Sequence, residues 1–213
     1  MSESEQDAVE YWEHRYGERD QIWSGAPNRA LVTAVAGLDP GRALDLGCGE
    51  GGDSVWLAEQ GWQVTAVDIA ATAIARAQRF ATSRHTPQDR ISWLVEDLSS
   101  WQPTEYYDLV SACFLQSPID FPRTAVLQRA ASAVAPGGHL LIVGHAEFPP
   151  WSTAHDHDRA GHRFPSPAEE RASLQLDDAG WDTVIGETRS REATGPDGEH
   201  ATLHDIVTHL RRR

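Results

Sequence analysis

Ten consecutive residues, Ala43-Leu44-Asp45-Leu46-Gly47-Cys48-Gly49-Glu50-Gly51-Gly52, restrict the fold of this chain more than any others. An apolar run of strand character enters a turn built largely of glycine, and helical character resumes directly after it. Glycine allows the backbone to turn sharply and to approach a ligand closely. The N–H groups that open the following helix form a polar cradle. A strand, glycine turn and helix in this order belong to an α/β sheet whose ligands collect at the carboxyl ends of the strands.

The rest of the chain repeats that order. Short apolar runs at Arg42 to Leu46, Gln63 to Val67, Ile91 to Val95, Tyr107 to Ala112 and His139 to Gly144 read as buried strands. Helices are predicted at Gly52 to Gln60, Ala70 to Ser83 and Pro122 to Val134, each closed by Gly, Pro or polar turn residues. A further helix, Pro167 to Ala179, precedes two runs, Trp181 to Arg189 and Ala201 to Leu210, joined by a Pro196-Asp197-Gly198 turn as an antiparallel hairpin. With 213 residues, 40% of them hydrophobic, the chain suits one core and one structural domain. The expected fold is a single Rossmann-like, doubly wound sheet of about seven strands, mostly parallel, with helices on both faces. Glu169, Glu170 and Arg171 read as a solvated helix face, and Arg211 to Arg213 as a frayed basic tail.

Gly47, Gly49 and Gly52 satisfy the G-x-G-x-x-G spacing of dinucleotide sites, and Asp68, about 20 positions on, is placed to accept ribose hydroxyls. Two further acids separate the candidates. Asp45, inside the strand before the glycines, would repel a pyrophosphate and welcome an ammonium group. Asp97, just after the third strand, can accept a hydrogen bond from an adenine amino group. These features weaken a nicotinamide-dependent oxidoreductase as the alternative.

Through Asp45-Leu46-Gly47-Cys48-Gly49-Glu50-Gly51, Asp68, Asp97, Tyr107-Asp108-Leu109-Val110 and Ala135-Pro136-Gly137-Gly138-His139-Leu140, the chain resembles the class I S-adenosylmethionine-dependent methyltransferases over about residues 40 to 145. The resemblance implies S-adenosylmethionine as cofactor and S-adenosylhomocysteine as product. It implies cofactor contacts from Arg15, Asp45, Gly47, Cys48, Gly49, Asp68, Ile69, Asp97, Leu98 and Cys113. The leader Tyr11-Trp12-Glu13-His14-Arg15-Tyr16 with Trp23-Ser24-Gly25-Ala26-Pro27-Asn28 is similar to that of the small tellurite-resistance and thiol or thiopurine methyltransferases. On that likeness, residues 1–40 form a helical lid over a methyltransferase domain of residues 41–213. Tyr11, Trp12, Tyr16 and Trp23 then line the acceptor side, where aromatic faces attract a sulfonium; the alternative is that they only dock the helix on the core.

Methyl transfer depends chiefly on alignment, so the lack of a catalytic triad is no obstacle. Phe114 and Gln116, after the fourth strand, are the expected acceptor-lining residues, with Cys113 beside them. His145, following the fifth strand, is the candidate base. Cys48 and Cys113, the two cysteines, read as free thiols that pack rather than react. Glu147 to Phe164 reads as a loop over the site; its His155, His157 and His162 raise the question of a metal, but no metal motif is matched and none is expected.

Lys and Arg number 18 against 32 Asp and Glu, a net charge of −14 that disfavours nucleic acid and anionic membrane as partners. The expected acceptor is a small molecule, and the expected protein a cytoplasmic monomer or homodimer. Thiol or chalcogen methylation leads. Oxygen or nitrogen methylation and a non-catalytic S-adenosylmethionine-binding module are the alternatives.

Overall fold

A computed structural model describes residues 3–152, 163–195 and 197–213. Its seven strands are β1 (Arg42–Leu46), β2 (Gln63–Asp68), β3 (Ile91–Val95), β4 (Tyr107–Cys113), β5 (Val134–His145), β6 (Trp181–Thr194) and β7 (His200–Arg212). They form one sheet in the order β3-β2-β1-β4-β5-β7-β6. β1 to β5 run parallel, and β7 lies antiparallel between β5 and β6. The described helices are α1 (Glu3–Gly17), α2 (Arg29–Val35), α3 (Gly52–Glu59), α4 (Ala71–Ser83), α5 (Arg123–Ser132) and α6 (Pro167–Ser173).

Strand alternation sorts the core into two layers. Ala43, Val64, Ala66, Leu109, Leu141, Val143 and Val207 pack on one face with Leu31 and Ala34 of α2, Val55 and Leu57 of α3 and Ile74 of α4. Leu44, Leu46, Val67, Val110, Leu140 and Ile142 pack on the other with Val126, Leu127 and Ala130 of α5 and with Leu174. The doubly wound sheet with its antiparallel hairpin is thus the fold that the sequence predicts.

Several boundaries differ, each for a tertiary reason. β5 begins at Val134, ahead of the predicted His139, because Tyr107 pairs with Val134 before a register shift lets Leu109 pair with His139. The hairpin is longer than its apolar pattern: β6 extends to Thr194, where Thr194 pairs with His200. α6 stops at Ser173, well short of Ala179, since Gln175 takes a positive φ of 53°. Two surface expectations are corrected. Glu170 is buried, not solvated, and accepts both of its bonds from Arg123 Nη1, at 2.9 and 3.0 Å; Arg171 bonds Asp178, and Glu169 belongs to the capping box on Ser166. Arg211 to Arg213 are not frayed: β7 runs through Arg212, whose Nη1 donates to Val134 O at 2.6 Å, and Arg213 pairs with Asp182.

Candidate active site

The glycine turn between β1 and α3 sits at the carboxyl edge of the sheet. Gly47, Gly49 and Gly51 have φ of 68°, 53° and 83°, where other residues are strained. Gly47 N and Cys48 N donate to Val67 O at 2.8 and 3.0 Å, which ties the turn to β2. Space is as demanding as conformation. A Cβ on Gly47 would lie 2.7 Å from Leu115 Cδ1, and one on Gly51 would lie 2.8 Å from Ala77 Cβ.

Four buried carboxylates surround this turn: Asp45, Glu50, Asp53 and Asp68. Asp45 is held by two hydroxyls, Ser54 Oγ at 2.6 Å and Ser111 Oγ at 3.1 Å. Burial first, and the charge of Asp53 second, push its carboxyl up to about 7. Asp68 accepts Gly49 N at 2.8 Å and Ala70 N at 3.0 Å. Burial raises it to about 6 against the pull of those amides. A carboxylate offers about four acceptor positions, so Asp68 can brace the glycine turn and still receive a ligand hydroxyl. Asp53 takes Asn28 N and Asn28 Nδ2 at 2.6 and 2.8 Å, and burial raises it too. Among the described residues only Glu50 of these four is paired with a cation, Arg76, at 2.8 Å. Such an edge repels a pyrophosphate and suits a ligand that carries positive charge, as an ammonium and a sulfonium do.

Asp97 lies half-buried at the end of β3 and turns its carboxylate to its own chain, onto Ser99 N at 2.7 Å and Ser99 Oγ at 2.8 Å. Leu98 beside it is buried. Ile69 is half-buried between Asp68 and Ala70. Cys48 and Cys113 are free, and burial holds both thiols well above their ordinary range. Neither is poised as a nucleophile.

The leader lies against the same turn. Tyr16 is buried beside Ala70 and Ala73, with Trp12 and Ile22 packed around it. Trp23 Nε1 donates to Tyr16 OH at 3.4 Å, and both groups stand over Gly49. Trp23 nevertheless remains 52% exposed, and Tyr11, in edge contact with Trp12, is exposed as well. Arg15 binds Glu18 at 2.6 Å, and the arginine that bonds Glu50 in the turn is Arg76 of α4. The Glu50 carboxylate accepts Ile22 N and Trp23 N, and Arg76 Nη2 donates to Tyr16 O and Arg19 O. Glu50, Asp53, Arg76 and Asn28 were not legible as site residues. The acids flanking the glycines in Glu50-Gly51-Gly52-Asp53 were the available signal, but their partners lie far off in the chain.

On the other side of the turn, the segment after β4 joins it to the end of β5. Leu115 packs against Gly47, Phe114 N donates to Val143 O at 2.7 Å, and Gln116 Oε1 accepts His145 N at 3.0 Å. Phe114 adopts φ 56° and lays its ring 4.5 Å from that of His145. Thus Cys113, Phe114, Gln116 and His145 converge. His155, His157 and His162 lie outside the described residues.

The profile of the methyltransferase domain family matches residues 11–180. The chain belongs to that family. The protein named Probable thiol methyltransferase 2 of Arabidopsis thaliana is 31% identical to this chain over 140 residues, 62% of this chain and 60% of its own. TehB from Haemophilus influenzae shares the fold with a TM-score of 0.69 at 19% identity, over 96% of this chain and 67% of that one. The N-methyltransferase NodS from Bradyrhizobium japonicum, solved with S-adenosylhomocysteine, superposes with a TM-score of 0.66 at 18% identity, over 99% of each chain. The chain spans less than two thirds of the length of the curated relatives it matches. Among the described residues no helix is long and apolar enough to cross a membrane.

Proposed function

We propose that this methyltransferase moves the methyl group of S-adenosylmethionine to a small-molecule acceptor, with thiols and heavier chalcogen nucleophiles as the leading class. The observation that carries the reading is the buried acidic edge around Gly47 to Gly51, where Asp45, Asp53 and Asp68 lack a cation among the described residues. A ligand bearing an ammonium and a sulfonium supplies that charge. In this reading Gly47, Cys48 and Gly49 hold the methionyl part, Asp68 and Ile69 the ribose, and Asp97 and Leu98 the adenine. Residues 1–40 act as the lid, with Tyr16 and Trp23 over the glycine turn. The acceptor sits against Phe114, Gln116 and His145.

The thiol class draws on the name of the Arabidopsis relative, and the net charge of −14 disfavours a polyanionic acceptor. Oxygen or nitrogen methylation is the second reading, favoured by the fixed position of His145. We place the protein in the cytoplasm as a monomer or homodimer.

Calorimetric titration with S-adenosylmethionine, S-adenosylhomocysteine and NAD, followed by product analysis on thiols, hydrogen selenide and phenols, tests the reading. Selective binding of the first two with a methylated product supports it. Binding of both without any product would favour a cofactor-sensing module, and binding of NAD alone would overturn the assignment. Asp68→Ala should weaken S-adenosylmethionine binding by about 1–3 kcal/mol, as loss of a buried acceptor does.

A further inference from the structure

His145 and Asp205 are direct partners in the antiparallel register of β5 and β7, so their side chains share one face of the sheet. Asp205 is buried, with two oxygens in different circumstances. Oδ2 receives Arg191 Nε at 2.5 Å. Oδ1 has no hydrogen-bond donor among the described residues and lies 3.7 Å from His145 Nδ1. Phe114 closes the arrangement: its ring packs on His145, and Cζ of Arg191 on β6 lies 5.6 Å from the centroid of that ring. The imidazole is therefore backed by a carboxylate and flanked by an aromatic ring, yet its side chain stays 34% exposed.

Resting on the methyl-transfer reading above, we propose that Asp205 is a positioning residue. It holds His145 as the Nδ1–H tautomer and leaves Nε2 bare as the base for an acceptor that arrives protonated. A carboxylate on one ring nitrogen decides which nitrogen carries the proton and favours the imidazolium that forms. The missing donor to Oδ1 is Nδ1–H, and the 3.7 Å gap closes with a small ring rotation of the kind expected when a substrate seats. The proton balance is simple. As the acceptor heteroatom bonds the methyl carbon, its proton passes to Nε2; the carbon–sulfur bond breaks, and its electron pair remains on sulfur as a neutral thioether. Arg191, bonded to Oδ2, holds the Asp205 carboxyl in orientation. The acceptor class this selects is a neutral thiol, phenol or amine, in preference to a nucleophile that is already an anion.

The test is nitrogen-15 NMR of histidine-labelled full chain, free and with S-adenosylhomocysteine, with the His145 signals assigned by their loss in His145→Gln. Wild type should show a protonated Nδ1 and a bare Nε2, and Asp205→Asn should lose that preference. The opposite tautomer in wild type would overturn the proposal even if the variant fails to fold; an unchanged tautomer in a folded Asp205→Asn would overturn it too. In turnover, Asp205→Asn should lower kcat on 2-mercaptoethanol 10-fold or more and leave ionised hydrogen selenide unaffected; equal loss on both would reject the role. Failure to bind S-adenosylhomocysteine would instead defeat the methyl-transfer reading, and the tautomer would still decide the pairing.

Discussion

Buried Glu50 in the glycine turn and half-buried Arg76 on α4 form an ion pair at 2.8 Å whose remaining bonds among the described residues go to the leader. Removing one partner of such a pair strands a charge and costs about 3–5 kcal/mol. Arg76→Met should therefore lower stability by that order in urea unfolding. It should also release the leader first, seen as faster hydrogen exchange at the Ile22 and Trp23 amides than in β4. Uniform acceleration across the sheet would mean that the pair serves the core and not the leader.

Tyr16 and Trp23 touch each other but differ in burial, 4% against 52% exposed. Trp23→Ala should change stability by less than about 1 kcal/mol, as exposed positions do, and should weaken S-adenosylmethionine binding and slow transfer. Tyr16→Ala should cost about 3–5 kcal/mol, in the range of aromatic truncations in a core. If Trp23→Ala leaves binding and turnover unchanged, the lid role fails.

Asp45 sets an alkaline limit on the unliganded protein. Its folded carboxyl titrates near 7, above the usual 3.8, so it favours folding while protonated. That contribution is complete below about pH 4 and is lost as pH rises through 7. Asp45→Asn should thus match wild type at pH 4 and exceed it at pH 8 by roughly 4 kcal/mol, while binding S-adenosylmethionine less tightly. Thermal melts across that range check the sign.

His209 works in the opposite sense. It is buried and bonds His139 across β5 and β7 at 2.8 Å. Burial chiefly, then the charges of His139 and Arg189, push it down from 6.5 to about 4. The unfolded chain therefore takes up the proton more readily, and stability present above pH 6.5 is lost as pH falls toward 4. The loss should be about 3 kcal/mol, and His209→Gln should flatten the acid limb of a stability profile without moving the alkaline one.

The sequence by itself determined the sheet and the glycine turn with its acids. Both rest on local rules: strand alternation, the conformational demand on Gly47, Gly49 and Gly51, and acids at strand ends such as Asp45 and Asp68. What those acids hold was decided only in three dimensions. Asp68 braces Gly49, Glu50 meets Arg76, Asp53 meets Asn28, and Glu170 turns inward to Arg123. The pairing of His145 with Asp205 depends on the register of two strands 60 positions apart in sequence. A buried charge takes whatever partner the packing brings within about 3 Å, and strand register and helix packing set that partner across long stretches of chain. Periodicity and motif spacing describe only what is near along the chain, so they specify the elements and leave their side-chain partners to the fold.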